Sequence, residues 1–436
     1  MTEPTTALVA PPTPGTGPSP LTPLLARRVV ETVGSTGTPP EWGFQHFSAG
    51  LDAVLRVLDE DYLASYLADG GASFKLLVGT YGGGKTHFLY STRALAWERG
   101  YPVAYVALSH DESPFHRLER VYGAIVRNLA LPVAGDGTLA PPERGIRPLL
   151  EEWTARLDAA VEPELELEDR RPAILALAQA ALKSVASVQL QKAVAQAVEA
   201  IVSRDEQALS DLVQWLSAEG YARETHRRYG LLHGIDRTVA LTMLRSLSQL
   251  VRAMGHPGLV ILFDEAEQVP SLSSKQRDAL LSNLRELIDE CGHHHFQGVL
   301  MLYAVPDESF FEGRSSVYEA LNQRIATLFQ VFNPTGVKIR LDDLGLDPVP
   351  LLEAIGNKLA GIYETAYGTT LPGVERAVAA VAKAAYEQRF GDIGYKRLFV
   401  QAIVRACHLL RSGQTDARGV TSDVARGLVS GQALGR

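Results

Sequence analysis

The chain has 436 residues, 46% of them hydrophobic, a net charge of −8 and two cysteines, Cys291 and Cys407. That length exceeds one ordinary core and predicts an α/β domain with at least one smaller helical part. The acidic balance argues against nucleic-acid binding through overall charge and leaves room only for a local basic groove. Two distant cysteines without CxxC spacing argue against a zinc site or a disulfide framework and suit a reducing cytoplasm.

Residues 1–23 are rich in Pro, Thr and Gly and have no basic segment ahead of an apolar core, so they read as a disordered tail rather than a signal peptide. Helical periodicity follows over residues 24–33, a turn-forming stretch over 34–40, and a second helix over 51–67. Arg27 and Arg28 in this lead-in read either as lining a base pocket or as solvated helix-face charges. Short apolar strands are predicted at 75–79, 103–108, 259–264, 299–305 and 337–341. Helical stretches separate them, as crossovers between parallel strands require. Between the second and third strands, residues 144–254 read as a helical insertion, with helices over 147–160, 172–202 and 206–218. No apolar run reaches bilayer-spanning length; residues 173–200 come nearest and are interrupted by Gln179, Lys183, Gln189, Gln191, Lys192 and Gln196. Membrane attachment is therefore not expected. From residue 347 the chain turns helical again, over 349–367, 373–389 and 395–411, predicting a C-terminal lid.

The segment Gly79-Thr80-Tyr81-Gly82-Gly83-Gly84-Lys85-Thr86 fits G-x-x-x-x-G-K-[ST] between a strand and a helix predicted to begin at His87. Glycines let backbone N–H groups converge on phosphate oxygens, and the helix N-terminus adds its dipole. Lys85 offers a point charge to the β- and γ-phosphates, and Thr86 a hydroxyl to Mg²⁺. A second signature, Leu259-Val260-Ile261-Leu262-Phe263-Asp264-Glu265, is an apolar strand ending in two carboxylates, the Walker B pattern. Asp264 is expected to hold Mg²⁺, and Glu265 to act as general base on the attacking water. Together they predict an ATP- and Mg²⁺-dependent hydrolase, with Lys85, Thr86, Asp264 and Glu265 at its centre.

Further positions are read with alternatives. Ser109, at the end of the second strand, is either a turn residue or a group that holds Glu265 inactive. Tyr303, Asp307 and Glu308 stand where a γ-phosphate sensor is expected, without the usual Asn or Thr. Arg324, with Arg314 as competitor, reads as an arginine finger for a neighbouring subunit or as a surface charge. Arg397 at the start of a C-terminal helix suits a lid-borne sensor. The run His293-His294-His295 reads as a polar loop rather than a metal site, lacking partners at ligand spacing. Arg223, His226, Arg227 and Arg228, interleaved with Tyr221 and Tyr229, read as a solvated segment or as a DNA-backbone contact.

With both Walker motifs, the lead-in, the late arginine and the lid, the chain resembles AAA+ ATPases of the origin-recognition-like branch. More closely it resembles BREX-system ATP-binding proteins of the BrxC/BrxD type, and its length is nearer the BrxD-like members. The supporting residues are Thr38-Pro39-Pro40, Phe47-Ser48-Ala49-Gly50, the glycine loop with Tyr81, Val121-Tyr122, and Gly258 through Glu267. The resemblance implies an AAA+ domain over residues 24–346 and a lid over 347–436. It also implies a homo-oligomer in bacterial anti-phage defence, acting with DNA and with partners such as a helicase. A rival reading is an ATP-switched scaffold that binds protein partners through its insertion.

Overall fold

The computed structural model describes residues 20–133, 141–162, 166–266, 272–311, 316–344, 347–389 and 394–431. Its strands are β1 (Ala72–Val78), β2 (Val103–Ala107), β3 (Leu129–Ala130), β4 (Leu259–Asp264), β5 (Val299–Val305) and β6 (Lys338–Arg340). They form one sheet in the order β3-β2-β4-β5-β1-β6. Every pairing is parallel except that of β3, which lies antiparallel on β2. The parallel strands are the five expected from sequence; β3 has only two residues, too few for an alternating pattern.

The strands are buried on both faces, so they read as continuous apolar runs, yet their side chains still alternate. Leu259, Ile261 and Phe263 of β4 and Val299, Met301 and Tyr303 of β5 face one core. Val260, Leu262, Leu300, Leu302 and Ala304 face the other. Helix α1 (Pro23–Thr36), α2 (Asp52–Val57) and a π-helical stretch (Leu58–Tyr66) precede the sheet, and α3 (Lys85–Glu98) follows β1. Phe88, Leu89, Ala96 and Trp97 of α3 fill the second core. The first core is built by α4 (Leu118–Arg127) and by the insertion helices α5 (Ile146–Ala160), α6 (Leu167–Leu182), α7 (Val188–Ser203), α8 (Glu206–Leu216) and α10 (Ala240–Ala253), with the short α9 (Arg223–Arg227) between the last two. Between β4 and β5 lies α11 (Ser274–Gly292), and between β5 and β6 lies α12 (Ser316–Ile325).

The helix expected over 172–202 is two helices. Ser187 caps α7 by accepting from the Leu190 amide at 3.2 Å, and Gln191 donates back to the Val185 carbonyl at 2.6 Å. Side-chain caps of this kind offset the broken ladder, while the apolar pattern runs on through the junction.

The C-terminal bundle comprises α13 (Pro348–Tyr367), α14 (Val374–Glu387), α15 (Tyr395–Arg411) and α16 (Ser422–Ser430). Leu25, Val29, Val30 and Val33 of α1 bury in this bundle beside Leu352, Leu359, Phe399 and Ile403. The helix that precedes the glycine loop in sequence is thus packed into the C-terminal bundle. Arg27 stacks on the Tyr367 ring of α13 at 4.1 Å and pairs with Glu31. It lies outside the pocket that it was one candidate to line, as does Arg28, because both are on the exposed side of α1 while the buried side supplies Val33 to that pocket. No helix among the described residues is long and apolar enough to cross a membrane.

Candidate functional site

Sheet order places β5 between β1 and β4, so the glycine loop after β1 and the acidic end of β4 open on the same edge of the sheet. Gly82 and Gly84 adopt φ of 70° and 104°, a region that penalises any Cβ. A Cβ built on Gly84 meets nothing within 4 Å, so the loop encloses open space. Lys85 is buried, and its ammonium donates to the carbonyls of Gly79 (3.0 Å) and Thr80 (3.4 Å). Thr86 begins the first turn of α3 and donates to Asp264 Oδ2 across 2.8 Å. The glycine-loop segment and the acidic end of β4 therefore meet through a side-chain hydrogen bond.

Asp264 is itself buried and accepts twice more: Tyr105 of β2 donates to Oδ2 at 2.6 Å, and the Glu265 amide donates to Oδ1 at 2.9 Å. Burial and then the Asp264 charge push the Tyr105 hydroxyl well above its usual range, so it stays a neutral donor. Glu265 is exposed, with φ of 61°, a conformation costly for a residue with a side chain. It borders a small cleft with Ser109, Ser113, His116 and Tyr303. Ser109 accepts from the Glu112 amide at 3.0 Å and its own amide donates to Ser113, as a strand-end turn residue does. A hydroxyl and a carboxylate 2.8 Å apart are hard oxygen donors, few in number, and so fit Mg²⁺. Thr86 and Asp264 would hold that ion, which when bound supplies charge neutralisation between phosphates.

Beside the loop lies a cleft of about 780 Å³, partly open to solvent, lined by Gly82, Gly83, Gly84 and His87 and by apolar groups including Val33, Pro39, Phe47, Leu341, Ile355 and Val400. Its apolar walls and phosphate-facing end have the chemistry of a nucleotide's base and phosphate ends. His87 packs edge-on between Phe44 (5.5 Å) and Phe47 (5.3 Å), with Ser48 hydrogen-bonded to Nε2. Burial lowers this imidazole to about 4, so it sits neutral. The lead-in that brings these rings is pinned by Arg93 of α3, which is buried and donates to the Glu41 carboxylate and carbonyl, both at 2.9 Å.

The lid reaches the loop directly. Arg397 of α15 donates to the Tyr81 hydroxyl and to the Thr36 carbonyl, each at 2.7 Å. Its neighbour Lys396 donates to the Gly83 carbonyl at 3.1 Å, and burial lowers its ammonium. Sequence reasoning selected Arg397 and passed over Lys396, whose role depends on how α15 docks. Tyr105 was missed for the same reason: it reads as a strand residue until β2 and β4 are paired.

Other expected positions are not gathered here. Arg324 on α12 pairs with Asp289 of α11 and donates to the Ala320 carbonyl. Glu308 accepts from Lys338 and Arg340, tying the end of β5 to β6, so it is engaged as a structural anion rather than free to sense a phosphate. His226 is buried and stacked on Tyr221, while Arg223, Arg227 and Arg228 are exposed, Arg228 being paired with Asp211. Among the described residues no group of three or more His, Cys, Asp or Glu could hold a metal, and His295 instead pairs with Glu290. Glu267 and Arg314 lie outside the described residues.

A mostly parallel sheet with the phosphate loop after its second strand from one edge, a C-terminal helical bundle touching that loop, and a carboxylate pair on the strand two places away define a P-loop nucleotide-binding protein of AAA+ architecture. Residues 25–415 match the family model described as BREX system ATP-binding protein BrxC/D. The chain belongs to that family, and ATP is the nucleotide the family binds. No curated protein sequence matches it. A similar solved structure is the ORC2 protein of Aeropyrum pernix in ADPNP-ADP complexes, 14% identical, covering 90% of this chain and 72% of that one with a TM-score of 0.43.

Proposed function

We propose that this protein is a Mg²⁺-dependent ATPase of the shorter, BrxD-like kind, which works as a homo-oligomer on or with DNA in bacterial anti-phage defence. The observation that carries the reading is the Thr86–Asp264 hydrogen bond, which joins the phosphate loop to the carboxylate strand and leaves Glu265 at the solvent side. In that arrangement Lys85 and the loop amides bind the phosphates. Thr86 and Asp264 orient the metal's oxygen ligands, and Glu265 takes a proton from water. The lid residues Lys396 and Arg397 respond to occupancy, being already attached to loop atoms. A neighbouring copy would receive Arg324, and Arg223 and Arg227 would meet DNA phosphates, both in the cytoplasm.

A second reading, an ATP-switched scaffold with slow turnover, is favoured by the intramolecular Arg324–Asp289 pair, which a finger acting in trans has to break. Turnover measured against protein concentration, with and without duplex DNA, separates them. The oligomeric ATPase predicts specific activity that rises with concentration and falls by roughly 10³-fold or more in Arg324→Ala, the range set by known arginine fingers. Activity independent of concentration, DNA and Arg324 would select the scaffold.

A further inference from the structure

Asp264 is expected to hold the metal through one carboxylate, so anything that fixes that carboxylate also fixes the metal's geometry. Its Oδ2 carries two donors, Thr86 at 2.8 Å and Tyr105 at 2.6 Å, while its Oδ1 has the Glu265 amide at 2.9 Å. Two of these partners have other duties: Thr86 offers its oxygen to the ion, and Glu265 follows in a left-handed turn whose conformation has to serve a water. Tyr105 alone of the three has no reacting role. It projects from the middle of β2, and β2 is paired with β4 throughout its length, Tyr105 lying opposite Leu262. Its ring packs on Tyr90 of α3 at 5.2 Å, so the hydroxyl is aimed by a strand on one side and by the P-loop helix on the other.

We infer that Tyr105 is a positioning residue for metal-dependent nucleotide binding, holding the Asp264 carboxylate in the rotamer that faces Thr86. The inference rests on the reading of Asp264 as the metal-holding carboxylate. A hydroxyl on a β-strand is a rigid support, because β4 pairs with the strand through Tyr105 itself and β3 holds the preceding residues Val103 and Ala104 on the other edge. With the hydroxyl gone, Oδ2 keeps only Thr86, the same group that has to turn toward the ion. Carboxylate rotation then competes with ligation, and partners of ligating groups typically govern metal affinity by about 10–100-fold.

The test is Tyr105→Phe, which keeps the ring and its packing on Tyr90. A fluorescent non-hydrolysable ATP analogue is titrated into wild type and variant in saturating MgCl₂ and again in EDTA. The readout is the ratio of the two affinities, with circular dichroism as a check on folding. The expected result is a ratio about tenfold smaller in Tyr105→Phe, with affinity in EDTA within about twofold of wild type, as removal of a support that acts only through the ion requires. A ratio equal to that of wild type overturns the inference, and so does an equal loss of affinity in both conditions, which marks a merely structural tyrosine. If wild type itself shows no gain from MgCl₂, or if Asp264→Asn, expected to abolish the gain, keeps it, the reading of Asp264 fails instead.

Discussion

At the scale of single residues, the site depends on groups whose neighbours decide their chemistry. Lys85, Thr86, Asp264 and Glu265 were legible in sequence because each belongs to a contiguous motif whose spacing encodes a turn and a strand end. Tyr105 and Lys396 were not, because their partners lie 159 and 313 positions away in the chain. His87 was legible as the first residue of a helix, but not as a neutral ring wedged between Phe44 and Phe47. Its imidazole falls from 6.5 to about 4 on folding, so between those values the unfolded chain binds a proton that the folded chain refuses. Stability therefore falls as pH drops from 6.5 toward 4, and above 6.5 this group contributes no further pH dependence. Urea midpoints measured across that window should fall less steeply in His87→Gln than in wild type. Equal slopes would show that His87 is protonated in the folded state.

At the scale of elements, the five parallel strands and most helices were legible because each carries its own apolar period. The break between α6 and α7, the π-helical stretch before β1 and the two-residue β3 were not, since side-chain caps and edge pairing leave no period to read. The π-helical stretch is tied to the segment leading into edge strand β6 by one buried lysine, whose ammonium burial lowers to about 7. Lys75 of β1 donates to the Tyr62 hydroxyl (2.7 Å) and to the carbonyls of Pro334 (2.7 Å) and Gly336 (2.8 Å), and lies over the Tyr62 ring. This clamp fixes the segment that leads from α12 into β6. Lys75→Met, which keeps the stem and removes the donor, should lower stability by about 1–3 kcal/mol by leaving buried acceptors without a donor. Urea denaturation checks it, and nucleotide affinity should stay unchanged because the clamp's groups, Tyr62, Pro334 and Gly336, belong neither to the glycine loop nor to the carboxylate strand. An unaltered midpoint would mean that water replaces the ammonium without loss.

At the scale of the whole molecule, three layers converge on one opening: the sheet edge with its loop and carboxylates, the lead-in segment pinned by Arg93, and the lid that carries α1 with it. The membership of α1 in the lid was hidden in the sequence because its amphipathic face fits either neighbour, and only packing chooses. The consequence is that Arg397 touches both the end of α1 and Tyr81 of the loop, so lid and loop cannot separate without breaking that bridge. Function at this scale comes down to whether the opening binds ATP and also cleaves it. The most direct measurement is equilibrium ATP binding and steady-state phosphate release on the same preparations of wild type, Lys85→Ala and Glu265→Gln. The account predicts that Lys85→Ala loses binding, whereas Glu265→Gln binds ATP with wild-type affinity and releases phosphate at least about 100-fold more slowly, as loss of a general base requires. Wild-type phosphate release from Glu265→Gln would contradict it.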